Sequence, residues 1–261
     1  DVPFYFEADL GRVHLDPSIP LLAVINLAGP SIADKRWSDA RKREILDSRQ
    51  QLTHALATAL AESDNKPRSF LSASAIGFYG ATGEFGVDES SPAGSDFLAE
   101  VAQAWEEATA PAEAAGINTI HLRFGIVLSP DGGVLKKLLL PFKLGLGGPI
   151  GNGQQSMSWI SITDVMLIIH KLIVDSPACG PVNLVAAQPI SNLDFSAQLA
   201  QVLRRPDFMP LPGFLVKLLF GEMGEALLLG SSAVTSDKLA KLGIQLEYPT
   251  LRSALTALLN S

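Results

Sequence analysis

An α/β fold, a parallel sheet with helices on both faces, is what this sequence predicts, and three observations predict it. Short apolar runs alternate with segments of helical periodicity. The runs are nearly continuous instead of alternating apolar and polar, the pattern of strands buried on both faces. Gly, Pro, Ser and Asp punctuate the places where strands end and helices begin.

Each element follows from its residues. Residues 21–27 (LLAVINL) read as a buried strand ending in Ala28-Gly29-Pro30. Ser38 and Asp39 start a helix whose apolar positions Ile45, Leu46, Leu52, Leu56, Ala59 and Leu60 recur at helical spacing, and Pro67 stops it. Residues 69–74 (SFLSAS) form a second strand running into AIGFYG at 75–80, and residues 81–95 are a Gly, Ser and Pro loop. Asp96 opens a helix with Phe97, Val101, Trp105 and Ala108 on one face. A third strand covers 117–124, a turn 129–133, a helix 134–144 and a glycine-rich stretch (GLGGPIGNG) 145–153. A short strand follows at 158–162, and Thr163-Asp164 caps a helix to about Val174. Another strand spans 181–185, and Ser191 with Asp194 forms a capping-box-like start to a helix ending near Leu203. The tail reads as several short helices. The division expected is a core over 1–185 and a smaller, mostly helical lobe over 186–261. Open α/β sheets bind ligands outside the carboxyl ends of their strands, which directs attention to 27–30, 72–80, 123–133 and 145–159.

Composition narrows the function classes. With 47% hydrophobic and 18% charged residues, the 261-residue chain is globular and has a substantial core. A net charge of −7 argues against partners that need clustered Lys and Arg, namely nucleic acid and anionic membranes. The single cysteine, Cys179, allows no intrachain disulfide. No apolar run approaches the roughly 20 residues that span a bilayer, no secretory pattern is read, and the expected location is the cytoplasm. The chain opens on Asp1, which reads as a fragment, a processed chain or a chain whose beginning lies elsewhere. The four histidines are scattered without metal-ligand spacing, and neither a G-x-S-x-G elbow nor a Walker loop occurs.

The segments INLAGPSIADKRW (25–37) with SR at 48–49, SASAIGFYG (72–80), LRFGIVLSPDGG (122–133) and LPFKLGLGGPIGNGQQSMSWISITD (140–164) resemble the atypical extended short-chain dehydrogenase/reductase family, the NAD-dependent epimerase/dehydratase-like "epimerase family" proteins. The tail from about Pro212 resembles that family's small C-terminal domain. The resemblance implies a Rossmann fold whose first strand-loop-helix is missing here, binding NADP or NAD. It implies that the Leu27-Ala28-Gly29 turn passes beside the cofactor, glycine permitting close backbone approach. Ser72, Ala73 and Phe124 are further cofactor-side residues at strand ends.

Ser74 occupies the place of the serine that holds the reacting oxygen in related enzymes, since a hydroxyl both donates and accepts. Its other reading is a small residue needed for packing. Tyr79 could act as acid or base, or be a buried aromatic with a satisfied hydroxyl. Arg49 could pair with a cofactor phosphate or carboxylate, or form a structural salt bridge. Lys35 and Trp37, with Arg36 between them, are substrate-side candidates, a cover over the cofactor, or a solvated loop. Gln155 and Trp159 are further substrate-side candidates.

Two departures from the family pattern matter. The helix where the superfamily places Tyr-x-x-x-Lys reads DFLAEVAQAWEEA (96–108), without Tyr or Lys. No glycine-rich phosphate loop precedes Leu21, so the expected binding of NADP or NAD belongs to the full-length parent and is weak or absent for these residues alone. A smaller departure is Ser161, where the family commonly has His. The expected function is an NAD(P)-dependent epimerase, dehydratase or reductase acting on a small hydroxylated or nucleotide-sugar-like molecule. The alternative is a non-catalytic dinucleotide-binding or cell-division-associated interaction protein. The partners expected are the dinucleotide and a small-molecule ligand, with a homodimer left open.

Overall fold

The computed structural model describes residues 4–7, 12–16, 18–83, 86–175 and 178–260. Asp1, on which the chain opens, lies outside them. The elements in chain order begin with β1 (Phe4–Glu7), β2 (Arg12–Leu15), β3 (Ala23–Asn26), α1 (Asp39–Glu62), β4 (Ser69–Ala75), α2 (Phe97–Glu107), α3 (Ala110–Ala114) and β5 (Asn118–Phe124). They continue with β6 (Ile126–Leu128), α4 (Gly133–Lys143), β7 (Ser156–Met157), β8 (Trp159–Ser161), α5 (Ile162–Val174), β9 (Gly180–Leu184), β10 (Ile190–Ser191) and α6 (Asn192–Leu203). The tail carries α7 (Gly213–Gly224), α8 (Asp237–Lys241) and α9 (Leu251–Asn260).

The chain groups into two compact units that interleave along the sequence. The first holds the described residues up to Gly80, with Ala93–Arg123 and Ile173–Val182. The second holds Ala81–Pro92, Phe124–Leu172 and the described residues from Asn183 onward.

A four-stranded sheet in the order β3-β4-β5-β9 forms the frame of the first unit. β3 and β4 run parallel, with Ala23 opposite Ser69 and Asn26 opposite Ser72. A parallel neighbour requires a crossover, which α1 supplies between β3 and β4. Ser38 caps α1, its side chain accepting from the Arg41 amide. Leu56, Ala57 and Leu60 of α1 pack with Val24, Phe70, Ala112 and Ile117 as a buried cluster. The antiparallel pairing of β1 with β2, Phe4 opposite Leu15, was not anticipated from the sequence.

The second unit has its own core, in which Leu128, Leu135, Phe142, Trp159, Phe195, Leu199 and Leu255 are buried together. β6 pairs parallel with β8, and β7 pairs antiparallel with β10. α6 begins as its sequence indicates, Ser191 Oγ accepting from the Asp194 amide at 3.0 Å. The start of α5 differs from the expectation. Ser161, not Thr163-Asp164, caps it: Ser161 Oγ accepts from the Asp164 amide at 2.9 Å and donates to Asp164 Oδ2 at 2.6 Å. Asp164 is fully buried and its Oδ1 accepts from the Glu247 amide at 2.6 Å. That bond ties the segment before α9 to the start of α5. In the same unit, Glu89 accepts from the Asn183 amide, the Ser236 hydroxyl and the Asp237 and Lys238 amides, so it caps α8 from a distant segment.

Candidate functional site

The carboxyl end of β3 is shaped by a buried amide. Asn26 is 4% exposed; its Oδ1 accepts from the Ala28 amide at 3.2 Å, and its Nδ2 donates to Thr53 Oγ1 at 2.8 Å and Ser72 Oγ at 3.4 Å. Thr53 Oγ1 also accepts from Trp105 Nε1 at 3.0 Å. One side chain therefore joins β3, α1 and β4 and sets the turn that follows. In that turn Leu27 and Gly29 are exposed and Ala28 is half-buried. A Cβ at Gly29 would stand 3.1 Å from Arg49 Cζ, so the absent side chain is what lets the turn lie against the guanidinium.

Arg49 is buried. Its Nη2 donates to the Pro30 carbonyl at 2.9 Å and its Nη1 to the Ile45 carbonyl at 3.2 Å, while its Cζ lies 4.9 Å from the centre of the Trp105 ring. Burial, and next the charge of Arg41, hold its pKa below the ordinary arginine value. Among the described residues no carboxylate pairs with it. Lys35 is exposed. Trp37 donates to the Ile32 carbonyl at 2.9 Å and meets the Phe97 ring edge-on at 5.0 Å, which pins the loop to α2.

Ser74 and Tyr79 are brought into one buried network. Ser74 Oγ donates to Glu106 Oε1 at 2.7 Å. Arg123 clasps the same carboxylate with two bonds of 2.8 Å, from Nε to Oε1 and from Nη2 to Oε2. Its remaining terminal nitrogen, Nη1, donates to Tyr79 Oη at 2.8 Å, and the guanidinium lies 3.4 Å from the centre of the Phe78 ring. His121 is also buried, its Nε2 2.9 Å from Thr109 Oγ1 and its Nδ1 3.7 Å from Glu106 Oε2. Burial works against the charge of Arg123, but the hydrogen bonds and charge of Glu106 outweigh it and raise its pKa above the ordinary arginine value. Ser72 and Ala73, just before Ser74 on β4, are buried.

Three candidates belong to the second unit. Phe124, the last residue of β5, is half-buried. Gln155 is buried and donates to the Ile150 and Leu228 carbonyls at 3.0 and 2.9 Å. Trp159 is 2% exposed within the core. The glycine-rich stretch has a packing reason. It runs alongside residues 209–211, with Met209 N donating to Gly147 O at 3.1 Å and Leu211 N to Pro149 O at 2.9 Å. A Cβ at Gly148 would overlap the Met209 carbonyl oxygen, and one at Gly147 would enter the Phe142 ring. Gly148→Ala is therefore expected to lower stability by about 2 kcal/mol through overpacking, measured by urea unfolding; an unchanged midpoint would show that the two segments separate at no cost.

Asn26 and Thr53 carry no mark of their role in the sequence. For Arg123 and Glu106 the signal is an ionisable group among otherwise apolar positions: Arg123 at the end of an apolar strand and Glu106 on the apolar side of its helix. No described helix is long and apolar enough to cross a membrane.

Comparison with known proteins agrees with this picture. Residues 18–184 match the NAD dependent epimerase/dehydratase family, and residues 211–258 match a domain of unknown function, DUF1731. Epimerase family protein Mb2239 of Mycobacterium bovis is 39% identical over 234 residues, 89% of this chain and 77% of that protein. Mouse epimerase family protein SDR39U1 is 37% identical over 246 residues, 92% of this chain and 83% of its own length. The crystal structure of human SDR39U1 (isoform 2) with NADPH superposes with a TM-score of 0.89 at 31% identity, covering 93% of this chain and 83% of that one. The expected Rossmann-like fold is thus the fold observed.

Proposed function

Since this chain belongs to the NAD dependent epimerase/dehydratase family, we propose that it is an enzyme of the reductase or epimerase type that uses NADP(H) and acts on a small hydroxylated or nucleotide-sugar-like substrate. The observation that carries this reading is the 2.8 Å contact between Arg123 Nη1 and Tyr79 Oη. A phenol that gives up a proton leaves a negative oxygen, and a fixed guanidinium stabilises that charge. Arg123 thereby takes the part that the absent lysine plays in the wider superfamily. Ser74, whose proton goes to Glu106, keeps lone pairs that can accept from a substrate hydroxyl.

The turn at the end of β3 fits a dinucleotide. Its backbone is exposed at Leu27 and Gly29, Gly29 carries no side chain, and a buried guanidinium without a carboxylate lies beneath it. Leu27, Ala28 and Gly29 would hold the cofactor there, with Ser72 behind them. When bound, the nicotinamide supplies hydride transfer. NADPH is the ligand in the human SDR39U1 structure, which favours NADP over NAD.

Expected for Tyr79→Phe is a drop in kcat of about 10²-fold at saturating NADPH, with NADPH affinity unchanged. The assay is NADPH oxidation against a panel of aldehydes, ketones and nucleotide sugars. Equal rates for wild type and Tyr79→Phe would remove Tyr79 from the chemistry. A second reading, a non-catalytic dinucleotide-binding protein, is favoured by the burial of Ser74 and Tyr79, which are 2% and 6% exposed. It prevails if NADPH binds and nothing in the panel oxidises it.

A further inference from the structure

Two arginines of α1 converge on one short piece of backbone. Arg41 Nη2 donates to the Ser31 carbonyl, and Arg49 Nη2 donates to the Pro30 carbonyl. The two carbonyls belong to consecutive residues, and the charge of Arg41 acts on Arg49, so the two guanidiniums lie within electrostatic reach although their positions are eight apart along the helix. Each side chain is in a residue only 8% exposed.

The charges do not balance. Arg41 pairs with Glu44 at 2.8 Å, and that carboxylate is more than half exposed. Arg49 has only carbonyl oxygens as hydrogen-bond partners. Arg41 Nε is buried and has no hydrogen-bond partner. A buried cation without a counter-charge, and a buried N–H without an acceptor, are both costly. A guanidinium has five N–H donors in a planar fork suited to carboxylate and phosphate, and each arginine uses only some of them here. The exposed Gly29 leaves the Arg49 guanidinium without a side chain above it.

We propose that Arg41 and Arg49, beneath the Gly29–Ser31 backbone, form a two-guanidinium site for an oxyanion of the phosphate or carboxylate class. The site stands whether or not Tyr79 transfers a proton. The oxyanion can come from the phosphates of the dinucleotide or from a separate anionic ligand, and the test distinguishes these sources. The alternative is that both arginines only pin the loop to α1.

The probe is inorganic pyrophosphate, titrated into the full chain at constant ionic strength and followed by tryptophan fluorescence, since Trp105 lies against Arg49. Saturable binding is expected, weakened at least tenfold in Arg41→Gln and in Arg49→Gln. Because either variant could unfold, wild-type melting is measured in parallel. Pyrophosphate should raise the midpoint by about 2–4 °C over chloride at matched ionic strength. Competition with NADPH would assign the oxyanion to the dinucleotide, and independent binding would assign it to another ligand; both uphold the site. Absence of saturable binding and of any specific stabilisation overturns it, as does equal pyrophosphate affinity in folded variants.

Discussion

Replacing Arg123 by methionine is expected to lower the free energy of unfolding by about 3–5 kcal/mol. The reason lies in what the substitution leaves behind. The Arg123 and Glu106 side chains are 4% and 11% exposed, and the two bonds between them are both 2.8 Å. Without the guanidinium, Glu106 stays buried with Ser74 and a more distant His121 as its remaining partners, and Tyr79 loses its donor. The loss is therefore mainly the cost of an uncompensated carboxylate, and only secondarily the worth of the bonds themselves. Removing both charges together separates these contributions. The double variant Glu106→Gln/Arg123→Met should recover a large part of the loss, giving a coupling energy on the order of 1–3 kcal/mol. Guanidinium unfolding of the wild type, the two single variants and the double variant measures it. Strictly additive effects would mean that the two residues contribute independently, contrary to the geometry.

The second large effect is expected at Asp164. Asp164→Ala should destabilise the protein by about 3 kcal/mol, because the Glu247 and Tyr248 amides and the buried Ser161 hydroxyl lose their acceptor. Oδ1 receives the Glu247 amide at 2.6 Å and the Tyr248 amide at 3.4 Å, and Oδ2 receives the Ser161 hydroxyl at 2.6 Å. All of this occurs at a residue with no solvent exposure. Asp164→Asn retains an acceptor oxygen and should cost less than the alanine variant. Hydrogen exchange provides a local check: the Glu247 amide should lose protection in the alanine variant. A melting midpoint unchanged by Asp164→Ala would show that water or a rearranged loop replaces the carboxylate.

What was legible in the sequence follows from the range of the interactions concerned. β4 and β5 were legible because strands buried on both faces leave continuous apolar runs; β3 leaves such a run although Ile25 on it is exposed. The starts of α1, α2 and α6 were legible because Ser38, Asp96 and Ser191 cap through bonds to amides three residues on. The same rule misplaced the cap of α5, since Ser161, Thr163 and Asp164 all qualify by type and only the fold selects Ser161. The pairing of Glu106 with Arg123 was not legible, because it joins a helix to the following strand across 17 residues without a periodic signature. Arg41 was missed for a similar reason: its neighbours on α1 are charged, and its burial depends on the loop that returns over it. Ser74 and Tyr79 were legible only through family resemblance, which named the residues but not the network that engages them.

The interleaving of the two units has a consequence for how the chain is made. During synthesis from the N-terminus, residues 81–92 emerge well before the partners of Glu89 at Asn183 and Ser236–Lys238. The first unit likewise waits for Ile173–Val182. Neither unit can be completed when the first half of the polypeptide has left the ribosome, so apolar strands such as β4 are open to nascent-chain contacts until the Ile173–Val182 segment has emerged.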